Sequence, residues 1–426
     1  MISPARNLTY RLLTQIEARH VFSDDALNSE KMKQLDVRDR HLTTQVVYGT
    51  LRWQALLDYL LAKASSLPWQ EVELGPRVLL RMSLFQMWQM DRVPDHALVH
   101  DAVELAKREL GKGVERFVNG ILRHLGRTRP WENCEIINAA PAWVRASLPQ
   151  WLWERWSARY GENAAGEFAL SLNRAPQPAF RIDNRNADPV LVAAVQSDLV
   201  PGTAIRVAGG DDRDRDLQYQ DEASQLMPYL LGSISGLRVW DSCAAPGGKT
   251  AILTSLCGES GIVVASDLRI ERGLRMAGLL KRQAPKPEVL VADASETAPF
   301  RSCFDVVMAD VPCSGLGTLR RNPEIKWRFE PNGFALLQQT QKRILESVSG
   351  AVRVGGLLLY STCSTEPEEN ENVIEPFLRA HPNFSLELPC APPGVGKWIG
   401  RDKMVRTFPS ARLWDGFFAA LLRRQN

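Results

Sequence analysis

Two cysteines lie in polar turns that directly follow apolar, strand-like runs. Cys313 is in the sequence DVPCSG, and Cys363 is in the sequence YSTCST. A thiolate adds readily to an electrophilic carbon, and a second thiol beside it can assist its later departure. If the two preceding runs form neighbouring strands, both thiols lie at the same edge of one sheet. The pair is therefore a candidate for covalent catalysis by cysteine.

The residues around the two thiols favour Cys363 only weakly as the attacking group. A free cysteine has a pKa of about 8.5, so nearby positive charge is needed to populate the thiolate, and Lys249 is a candidate for it. Cys363 precedes the acidic stretch 366–377, which we predict to open a helix capped by Ser364 or Thr365. The start of a helix favours a thiolate. Residue chemistry alone leaves both cysteines open as the nucleophile.

The elements that position these turns are five short apolar runs with helix-length segments between them. Such alternation predicts an α/β fold with a doubly wound, mostly parallel, Rossmann-like sheet that is buried on both faces. Ligands bind beyond the carboxyl ends of the strands in such a sheet. The predicted strands are residues 236–242, 261–267, 287–293, 304–310 and 355–361, with further strands expected at one edge from 384–388 and 416–422.

The first predicted strand leads into a loop of small residues, DSCAAPGGKT at 241–250. Gly247 and Gly248 allow the backbone to approach a ligand closely before a helix begins. The end of the loop looks like a Walker A phosphate loop, but that motif requires glycine at the position of Cys243. The dinucleotide pattern GxGxxG is absent as well. Neither ATP nor NAD is therefore indicated.

Three successive predicted strands end in an aspartate, namely Asp267, Asp293 and Asp310. Asp267 follows the loop by roughly 20 residues, where a carboxylate can accept hydrogen bonds from both hydroxyl groups of a ribose. A single aspartate at a strand end is more often a helix cap than a functional group. Three in succession behind a glycine-rich loop instead indicate a cleft that binds a nucleoside.

A nucleoside cleft beside two thiols is suited to methylation of cytosine at carbon-5. That carbon is too weak a nucleophile to take a sulfonium methyl group unaided, but a thiolate added to carbon-6 activates it. A hydrogen bond or a proton from Asp310 to cytosine N3 would ease this addition. Loss of the carbon-5 proton then lets the cysteine leave. Because a thiol cannot reach carbon-6 inside a stacked helix, we expect the target base to be exposed or flipped.

Composition excludes several classes of protein. The chain has 426 residues and 45% hydrophobic content, which is enough for two or three domains. Because no apolar run resembles a signal peptide or a membrane span, we expect a cytoplasmic protein. A monomer is the default expectation. Seven cysteines and six histidines lack paired or zinc-type spacing, so neither disulfides nor a metal is expected. A net charge of +3 permits nucleic-acid binding without requiring it.

The pattern of helices and strands divides the chain into three predicted domains. Residues 1–135 carry apolar residues at helical spacing and predict an all-helical bundle. Residues 136–215 predict a small α+β linker domain, and residues 216–426 hold the α/β sheet. Within the linker the predicted elements are a strand at 179–183, a helix at 189–197 and an exposed loop at 209–216.

Five motifs extend over much of the chain: QDEASQ at 220–225, DSCAAPGGKT at 241–250, DVPCSGLGTLRRNPEIKW at 310–327, YSTCS at 360–364 and DGFF at 415–418. Together they resemble the Sun/Fmu (RsmB) branch of the RNA cytosine-5 methyltransferases. The resemblance implies S-adenosylmethionine as methyl donor, Cys363 as nucleophile and Cys313 as an aid to product release. The residues it implies to bind or border the methyl donor are Cys243, Ala244, Ala245, Pro246, Gly247, Gly248, Lys249, Asp267, Asp293 and Asp310.

The helical N-terminal part looks like the RNA-binding domain NusB, through GTLRW at 49–53 and FVNGILR at 117–123. A NusB-like domain joined to this catalytic domain is expected of a bacterial enzyme that modifies small-subunit (16S) rRNA. The 136–215 segment is similar to the family's RNA-recognition-like subdomain only in its position and in the stretch NRAPQPAFRID. The predicted RNA contacts after Cys313 are Arg320, Arg321, Lys326 and Trp327, with a structural role for Trp327 equally open.

Two alternatives stay open from the sequence. The same chemistry can act on tRNA, large-subunit rRNA or DNA in place of small-subunit rRNA. The chain can also be an RNA-binding or antitermination scaffold with a catalytically silent methyltransferase domain, although the intact pair of Cys313 and Cys363 argues against this. Methyl incorporation into RNA separates an enzyme from a scaffold, and the position of the modified cytosine identifies the substrate.

Overall fold

A computed structural model describes residues 2–90, 93–182, 194–206, 218–296, 298–408 and 414–425. The chain forms two units, which we call the helical unit (Met1–Ala175 with Leu319–Arg328) and the sheet unit (Pro176–Thr318 with Phe329–Asn426). The helices of the helical unit are α1 (Pro4–Glu17), α2 (Ser23–Leu27), α3 (Glu30–Lys33), α4 (Val37–Arg52), α5 (Gln54–Ala64), α6 (Leu74–Gln89), α7 (Asp95–Glu109), α8 (Val114–Thr128), α9 (Cys134–Asn138), α10 (Ala142–Arg145), α11 (Gln150–Tyr160), α12 (Glu162–Leu172) and α16 (Ile325–Arg328).

The helical unit is held together by apolar side chains that recur every three or four residues and meet in one core. The pattern is clear in α8, which buries one face formed by Val118, Ile121, Leu122 and Leu125. In contrast, α6 buries consecutive residues from Val78 to Met87 and therefore lies inside the bundle. None of the helices within the described ranges has the length and apolar character that a bilayer crossing requires.

The segment Leu319–Arg328 rejoins the helical unit from much later in the chain. Lys326 in this segment is only 1% exposed. Its Nζ donates to the carbonyl oxygens of Arg52 and Ser147 at 2.8 and 2.7 Å. A third hydrogen bond, at 3.2 Å, goes to the side-chain oxygen of Asn173. The hydrogen-bonding capacity of this amino group is thus used inside the protein, where burial and the charge of Arg52 lower the pKa of Lys326 well below its ordinary value.

The helical unit extends beyond residue 135, the boundary predicted from the sequence. Ser147 accepts a hydrogen bond from the backbone of Ala55 at 3.1 Å, and Val144 is part of the same apolar core. These contacts attach α10 and its neighbours to the preceding helices. The segment predicted as a linker domain, 136–215, therefore contributes helices to the helical unit and strands to the sheet unit.

A small antiparallel sheet begins the sheet unit, with β3 between β1 and β2. The predicted helix at 189–197 is wrong where the structure describes it, because residues 194–196 pair with a strand. Pairing between strands has overridden the local preference for helix. Residues 183–193, which include the end of the predicted strand 179–183, lie outside the described residues, as does the predicted loop at 209–216. The strands are β1 (Ala179–Arg181), β2 (Ala194–Gln196) and β3 (Thr203–Arg206).

The large sheet confirms the predicted Rossmann-like fold. Its strands are β4 (Arg238–Asp241), β5 (Ile262–Asp267), β6 (Glu288–Val291), β7 (Phe304–Asp310), β8 (Val352–Thr362), β9 (Phe384–Leu386), β10 (Val405–Arg406) and β11 (Phe418–Arg424). The order is β10-β11-β8-β7-β4-β5-β6, with β9 also paired to β11. The five strands from β8 to β6 run parallel, whereas β11 is antiparallel to β8. The helices of this unit are α13 (Glu222–Tyr229), α14 (Gly248–Cys257), α15 (Ile270–Leu280), α17 (Gly333–Ser349) and α18 (Glu371–Ala380).

The central strands are buried on both faces, as their nearly continuous apolar sequences require. Trp240 and Tyr360 belong to one apolar core, whereas Met308 and Leu359 belong to the other. Successive side chains of a strand point to opposite faces, so both cores fix the register of the sheet. The winding changes direction at β4, which lies between β5 and β7. The carboxyl ends of β4 and β7 therefore border the crevice where ligands bind in such sheets.

Replacing Lys326 by methionine should destabilise the helical unit. The substitution removes three hydrogen bonds but leaves their acceptor oxygens buried. Each unsatisfied buried acceptor costs about 1–3 kcal/mol, so we expect the unfolding free energy to fall by roughly 3 kcal/mol or more. Urea unfolding of the full chain measures this loss.

The control is Lys33→Met, because the side chain of Lys33 is 65% exposed. This control should change the unfolding free energy by less than about 0.5 kcal/mol. If Lys326→Met weakens RNA binding and leaves stability unchanged, Lys326 is an RNA contact, as the sequence predicted, and its buried hydrogen bonds carry no stability.

Candidate active site

The loop between β4 and α14 lies across the carboxyl ends of the neighbouring strands. The Ser242 amide donates to the carbonyl of Met308 at 2.9 Å, and the Ala244 amide donates to the carbonyl of Ser266 at 2.8 Å. Gly247 has a φ of +107°, and a Cβ atom there would lie 3.0 Å from the side chain of Met276. Glycine is thus required for both backbone conformation and packing. These constraints fix the loop predicted to contact the methyl donor.

Asp241 ends β4 directly before this loop and contacts Thr250 at the start of the following helix. It is 1% exposed, and its Oδ2 accepts a hydrogen bond from the Thr250 hydroxyl at 2.7 Å. Burial raises the pKa of Asp241 to about 7, and the nearby carboxylates of Asp310 and Asp267 add to the effect. The Thr250 hydrogen bond and the charge of Lys249 offset part of it. Near neutral pH, Asp241 therefore exchanges between its neutral and charged forms.

The other predicted acids lie along the same edge of the sheet. Asp267 is 5% exposed, and its carboxylate accepts hydrogen bonds from the amides of Ala245 at 3.3 Å and Arg269 at 3.2 Å. Asp293 lies just beyond β6, where its Oδ1 accepts from the Ser295 amide and hydroxyl at 2.8 and 2.7 Å. The structure thus places two oriented carboxylates on the β5–β6 side of the crevice.

Lys249 and Asp310 form an ion pair at the centre of this edge. Their Nζ and Oδ2 atoms are 2.6 Å apart, and the Ser361 hydroxyl donates to Asp310 Oδ1 at 2.7 Å. Burial lowers the pKa of Lys249, but the charge and hydrogen bond of Asp310, together with Cys363 and Asp241, outweigh burial and raise the pKa above its ordinary value. Lys249 therefore stays cationic and is close enough to attract a negative charge on the Cys363 sulfur.

The two cysteines from the turns after β7 and β8 are in contact. Their Sγ atoms are 3.3 Å apart, and both residues are half-buried. The hydrogen bond with Cys363 raises the pKa of Cys313 most strongly, followed by burial and nearby negative charge. Cys313 therefore remains a neutral thiol that can donate to Cys363. In contrast, burial raises the pKa of Cys243 to about 12, which makes that third thiol a poor nucleophile.

Glu369 is a site residue that the sequence did not reveal. Its side chain is buried, and its carboxylate accepts hydrogen bonds from Ser314 and Ser364, which directly follow the two thiols. Several acidic residues surround it in the stretch 366–377, and no spacing in the sequence marks the one that contacts both thiol turns. Glu366 is buried as completely as Glu369, so the hydrogen bonds to Ser314 and Ser364, and not burial, distinguish Glu369.

The expected helix cap near Cys363 is also wrong. Helix α18 begins at Glu371 after Asn370, whereas the Ser364 hydroxyl donates to Glu369. The start of this helix is therefore separated from the thiol by a short 3-10 turn at Pro367–Glu369. The predicted effect of the helix on Cys363 loses its structural basis, and Lys249 supplies the nearby positive charge instead.

The DGFF motif packs against the turn that follows Cys313. The Gly317 amide donates to the carbonyl of Cys363 at 3.0 Å, and the Gly416 amide donates to the carbonyl of Gly317 at 2.8 Å. A Cβ atom on Gly317 would lie 1.9 Å from the carbonyl oxygen of Gly416, so the contact requires glycine. Phe417 lies under Lys249, whose Nζ is 5.2 Å from the ring centre. The motif thus helps to shape the active site.

The predicted RNA contacts occupy the helical unit and not the surface of the sheet unit. The phosphate contacts expected of Arg320 and Lys326 find no support, because both side chains are buried. Trp327 is half-buried, and its indole Nε1 donates to the carbonyl of Leu51 at 2.8 Å, a structural role. Arg321 is also half-buried. Contact of RNA with Arg321 or Trp327 stays a prediction.

Comparison with known proteins matches both parts of the chain to family models. Residues 229–423 match the model for the 16S rRNA methyltransferase RsmB/F, and residues 3–127 match the NusB family. These matches confirm the resemblances found in the sequence. They also agree with the division into a helical N-terminal part and a Rossmann-like sheet.

Similar proteins extend over nearly the whole chain. The probable ribosomal RNA small subunit methyltransferase B of Bacillus subtilis is 32% identical, with 99% of this chain and 98% of the relative covered. The ribosomal RNA small subunit methyltransferase B of Thermus thermophilus is 36% identical, with coverage of 91% and 90%. The crystal structure of PH0851 has a TM-score of 0.81 at 25% identity and covers 100% of both chains.

Asp241→Asn should make stability less dependent on pH. The pKa of Asp241 is about 7 in the folded protein, against about 3.9 for an unfolded aspartate. In the interval between these values the folded state keeps a proton that the unfolded state has lost, so stability falls as pH rises. Asparagine resembles the protonated form at every pH. We expect the variant to gain roughly 4 kcal/mol of unfolding free energy relative to the wild type across this interval.

Urea unfolding of both proteins from about pH 4 to about pH 8 measures the difference. The control is Glu375→Gln, which removes a carboxylate of α18 that is 58% exposed. The difference in unfolding free energy between this variant and the wild type should hardly change with pH. If the difference in unfolding free energy between Asp241→Asn and the wild type is equally independent of pH, burial does not raise the pKa of this group.

Proposed function

Because the chain belongs to the 16S rRNA methyltransferase RsmB/F family, we propose that it methylates carbon-5 of a cytosine in small-subunit rRNA through a covalent adduct with Cys363. The observation that carries the proposed chemistry is the 3.3 Å separation of the Cys313 and Cys363 sulfurs beside the strand-end crevice. The substrate class follows from the names of the relatives, which are small-subunit rRNA methyltransferases. The family depends on S-adenosylmethionine.

The crevice has features that fit S-adenosylmethionine. Asp267 presents a nearly buried carboxylate, and the adjacent Leu268 leaves 59% of its surface exposed, so a polar and an apolar recognition group stand side by side. They suit the ribose hydroxyls and the adenine ring. When bound, S-adenosylmethionine supplies an electrophilic methyl group. The residues proposed to hold or border it are Cys243, Ala244, Ala245, Pro246, Gly247, Gly248, Lys249, Asp267, Asp293 and Asp310.

Cys363 is proposed as the nucleophile because a cationic lysine interacts with it and a neutral thiol lies beside it. Lys249 is cationic and interacts electrostatically with Cys363, while Cys313 is a neutral thiol beside it. Attack by the thiolate forms a bond from sulfur to cytosine carbon-6. The electron pair of the former double bond moves toward carbon-5, which then becomes nucleophilic.

Asp310 and Lys249 are proposed to act on the edge of the base. Asp310 is held by Ser361 and Lys249 but keeps 25% of its side chain exposed. We assign to this pair the delivery of a proton to cytosine N3 as carbon-6 is attacked. Protonation of N3 draws electron density from carbon-6 and lowers the barrier to addition. The pair takes this proton back from N3 when the methylated base is released.

Cys313 is proposed to aid the release of the product. After methyl transfer, the carbon-5 proton passes to water, the carbon-5 to carbon-6 double bond forms again, and Cys363 departs as a thiolate. The neutral Cys313 thiol can stabilise that departing sulfur by donating a hydrogen bond across 3.3 Å. The roles of the two cysteines are therefore separable by substitution.

Cys363→Ala should abolish methyl transfer, whereas Cys313→Ala should still allow transfer but accumulate enzyme bound covalently to RNA. The physical reason is that only the first variant lacks the attacking sulfur. Incorporation from labelled S-adenosylmethionine measures transfer, and a denaturing gel shows the adduct. Unmodified small-subunit rRNA, large-subunit rRNA and tRNA are compared as substrates.

Cys390→Ala is the matched control, since this cysteine is exposed and outside the site, and it should behave as the wild type. Exchange of the two phenotypes would reverse the assigned roles. Preferential labelling of tRNA or large-subunit rRNA would keep the chemistry and reject the substrate. No labelling by a wild-type protein that binds S-adenosylmethionine would indicate a scaffold.

A further inference from the structure

Glu369 connects the turns that carry the two thiols. Its Oε1 accepts a hydrogen bond from the Ser314 amide at 2.7 Å. Its Oε2 accepts from the Ser314 hydroxyl at 2.5 Å and from the Ser364 hydroxyl. Ser314 directly follows Cys313, and Ser364 directly follows Cys363. One carboxylate therefore holds both turns at the positions next to their sulfurs.

The carboxylate is itself fixed by two further elements. The side-chain amide of Gln341 on α17 donates to Glu369 Oε1 at 3.1 Å and to the carbonyl of Pro312 at 3.0 Å. The Tyr360 hydroxyl of β8 donates to the backbone carbonyl of Glu369 at 2.6 Å. Helix α17 and strand β8 thus restrain the acid from opposite ends of the residue. Displacement of Glu369 would disturb the turns on both sides.

A buried carboxylate lowers stability unless hydrogen bonds compensate for the lost water. Burial raises the pKa of Glu369, and the hydrogen bonds from Ser314, Ser364 and Gln341 oppose that rise. An apolar residue could fill the same space without this cost. A charge-assisted acceptor with two oxygens can instead draw in several donors at short range, and such bonds are roughly twice as strong as neutral ones.

We propose that Glu369 is a positioning residue, which acts through the hydroxyls of Ser314 and Ser364 to hold the Cys313 and Cys363 sulfurs at the separation that their chemistry requires. This inference rests on the proposed covalent function and deepens it. We assign Glu369 no contact with the base or the methyl donor, because its carboxylate oxygens accept hydrogen bonds from Ser314, Ser364 and Gln341. Its effect reaches the reaction through the geometry of the two thiols.

The charge of Glu369 also acts on Cys313. The hydrogen bond to Cys363 and burial contribute most to the raised pKa of Cys313, and the carboxylate of Glu369 adds to it. The contact with Cys363 and the charge of Glu369 therefore both favour Cys313 as the neutral thiol that donates the hydrogen bond between the two cysteines. Removing the charge while keeping the shape of the side chain separates this role from packing.

The test compares Glu369→Gln with the wild type in the full chain. We expect kcat for methyl transfer to fall by about tenfold or more, because weaker neutral hydrogen bonds loosen both turns. The KM for S-adenosylmethionine and its Kd should stay within about twofold of wild type. Glu375→Gln makes the same charge change on α18, on a side chain that is 58% exposed and pairs with Arg379, and should leave kcat unchanged.

A reagent that reacts with two thiols at once tests the relative position of Cys313 and Cys363 independently of methyl transfer. Phenylarsine oxide condenses with two neighbouring thiols to form two arsenic–sulfur bonds and release one water molecule, so one arsenic must reach both sulfurs. We expect the wild type to be captured rapidly at Cys313 and Cys363, and Glu369→Gln about tenfold more slowly. Peptide mass spectrometry identifies the captured pair.

Unchanged kcat and unchanged capture in Glu369→Gln would overturn the proposal. An equal loss of cofactor affinity and kcat would also overturn it, because the role would then be general support of the fold. If Glu369→Gln fails to fold, Ser364→Ala takes its place. This variant removes one donor to Glu369, so kcat and the rate of arsenic capture should each fall by about threefold. The arsenic capture also separates the two claims, since slower capture in a chain without methylating activity would reject the proposed function and retain the positioning role.

Discussion

The parallel pairing of β7 with β8 is the constraint on which the active site depends. It sets Asp310 opposite Ser361, so the two strands end at the same level of the sheet. The turns that follow then bring Cys313 and Cys363 together with a sulfur separation of 3.3 Å. Neither strand can slip by one residue without moving its side chains between the two apolar cores. The position of the thiols is thus set by the most deeply buried part of the sheet.

Charged groups behind these thiols are buried and compensated. Lys249 pairs with Asp310, and Glu369 accepts hydrogen bonds from residues on both sides of the crevice edge. An uncompensated buried charge would cost several kcal/mol, so loss of one partner disturbs the others. Connected polar groups of this kind restrict one another's orientation. The result is a candidate site whose thiols, Lys249–Asp310 pair and supporting acid are positioned as a unit.

The strand ends were predictable because buried parallel strands leave short, nearly continuous apolar runs in the sequence. Asp267 and Asp310 end such runs, so their places at the sheet edge followed directly. The inward turn of Glu369 was not predictable, because it depends on contacts from α17 and β8 that no local pattern records. The helix start was misplaced for a similar reason, since Ser364 bonds to Glu369 and caps no helix. Lys326 looked like a surface base because its acceptors lie far away in the sequence.

Cys363 is the sulfur proposed to bond with carbon-6 of the target cytosine, and trapping that bond tests the proposal most directly. In small-subunit rRNA that contains 5-fluorocytidine, fluorine at carbon-5 cannot leave as a proton does, so the methylated adduct persists. Digestion of the trapped complex and mass spectrometry identify the cysteine and the nucleotide that it carries. We predict a single rRNA position linked to the peptide containing Cys363. A nucleotide linked to Cys313, or methylation without any trapped adduct, would contradict this mechanism.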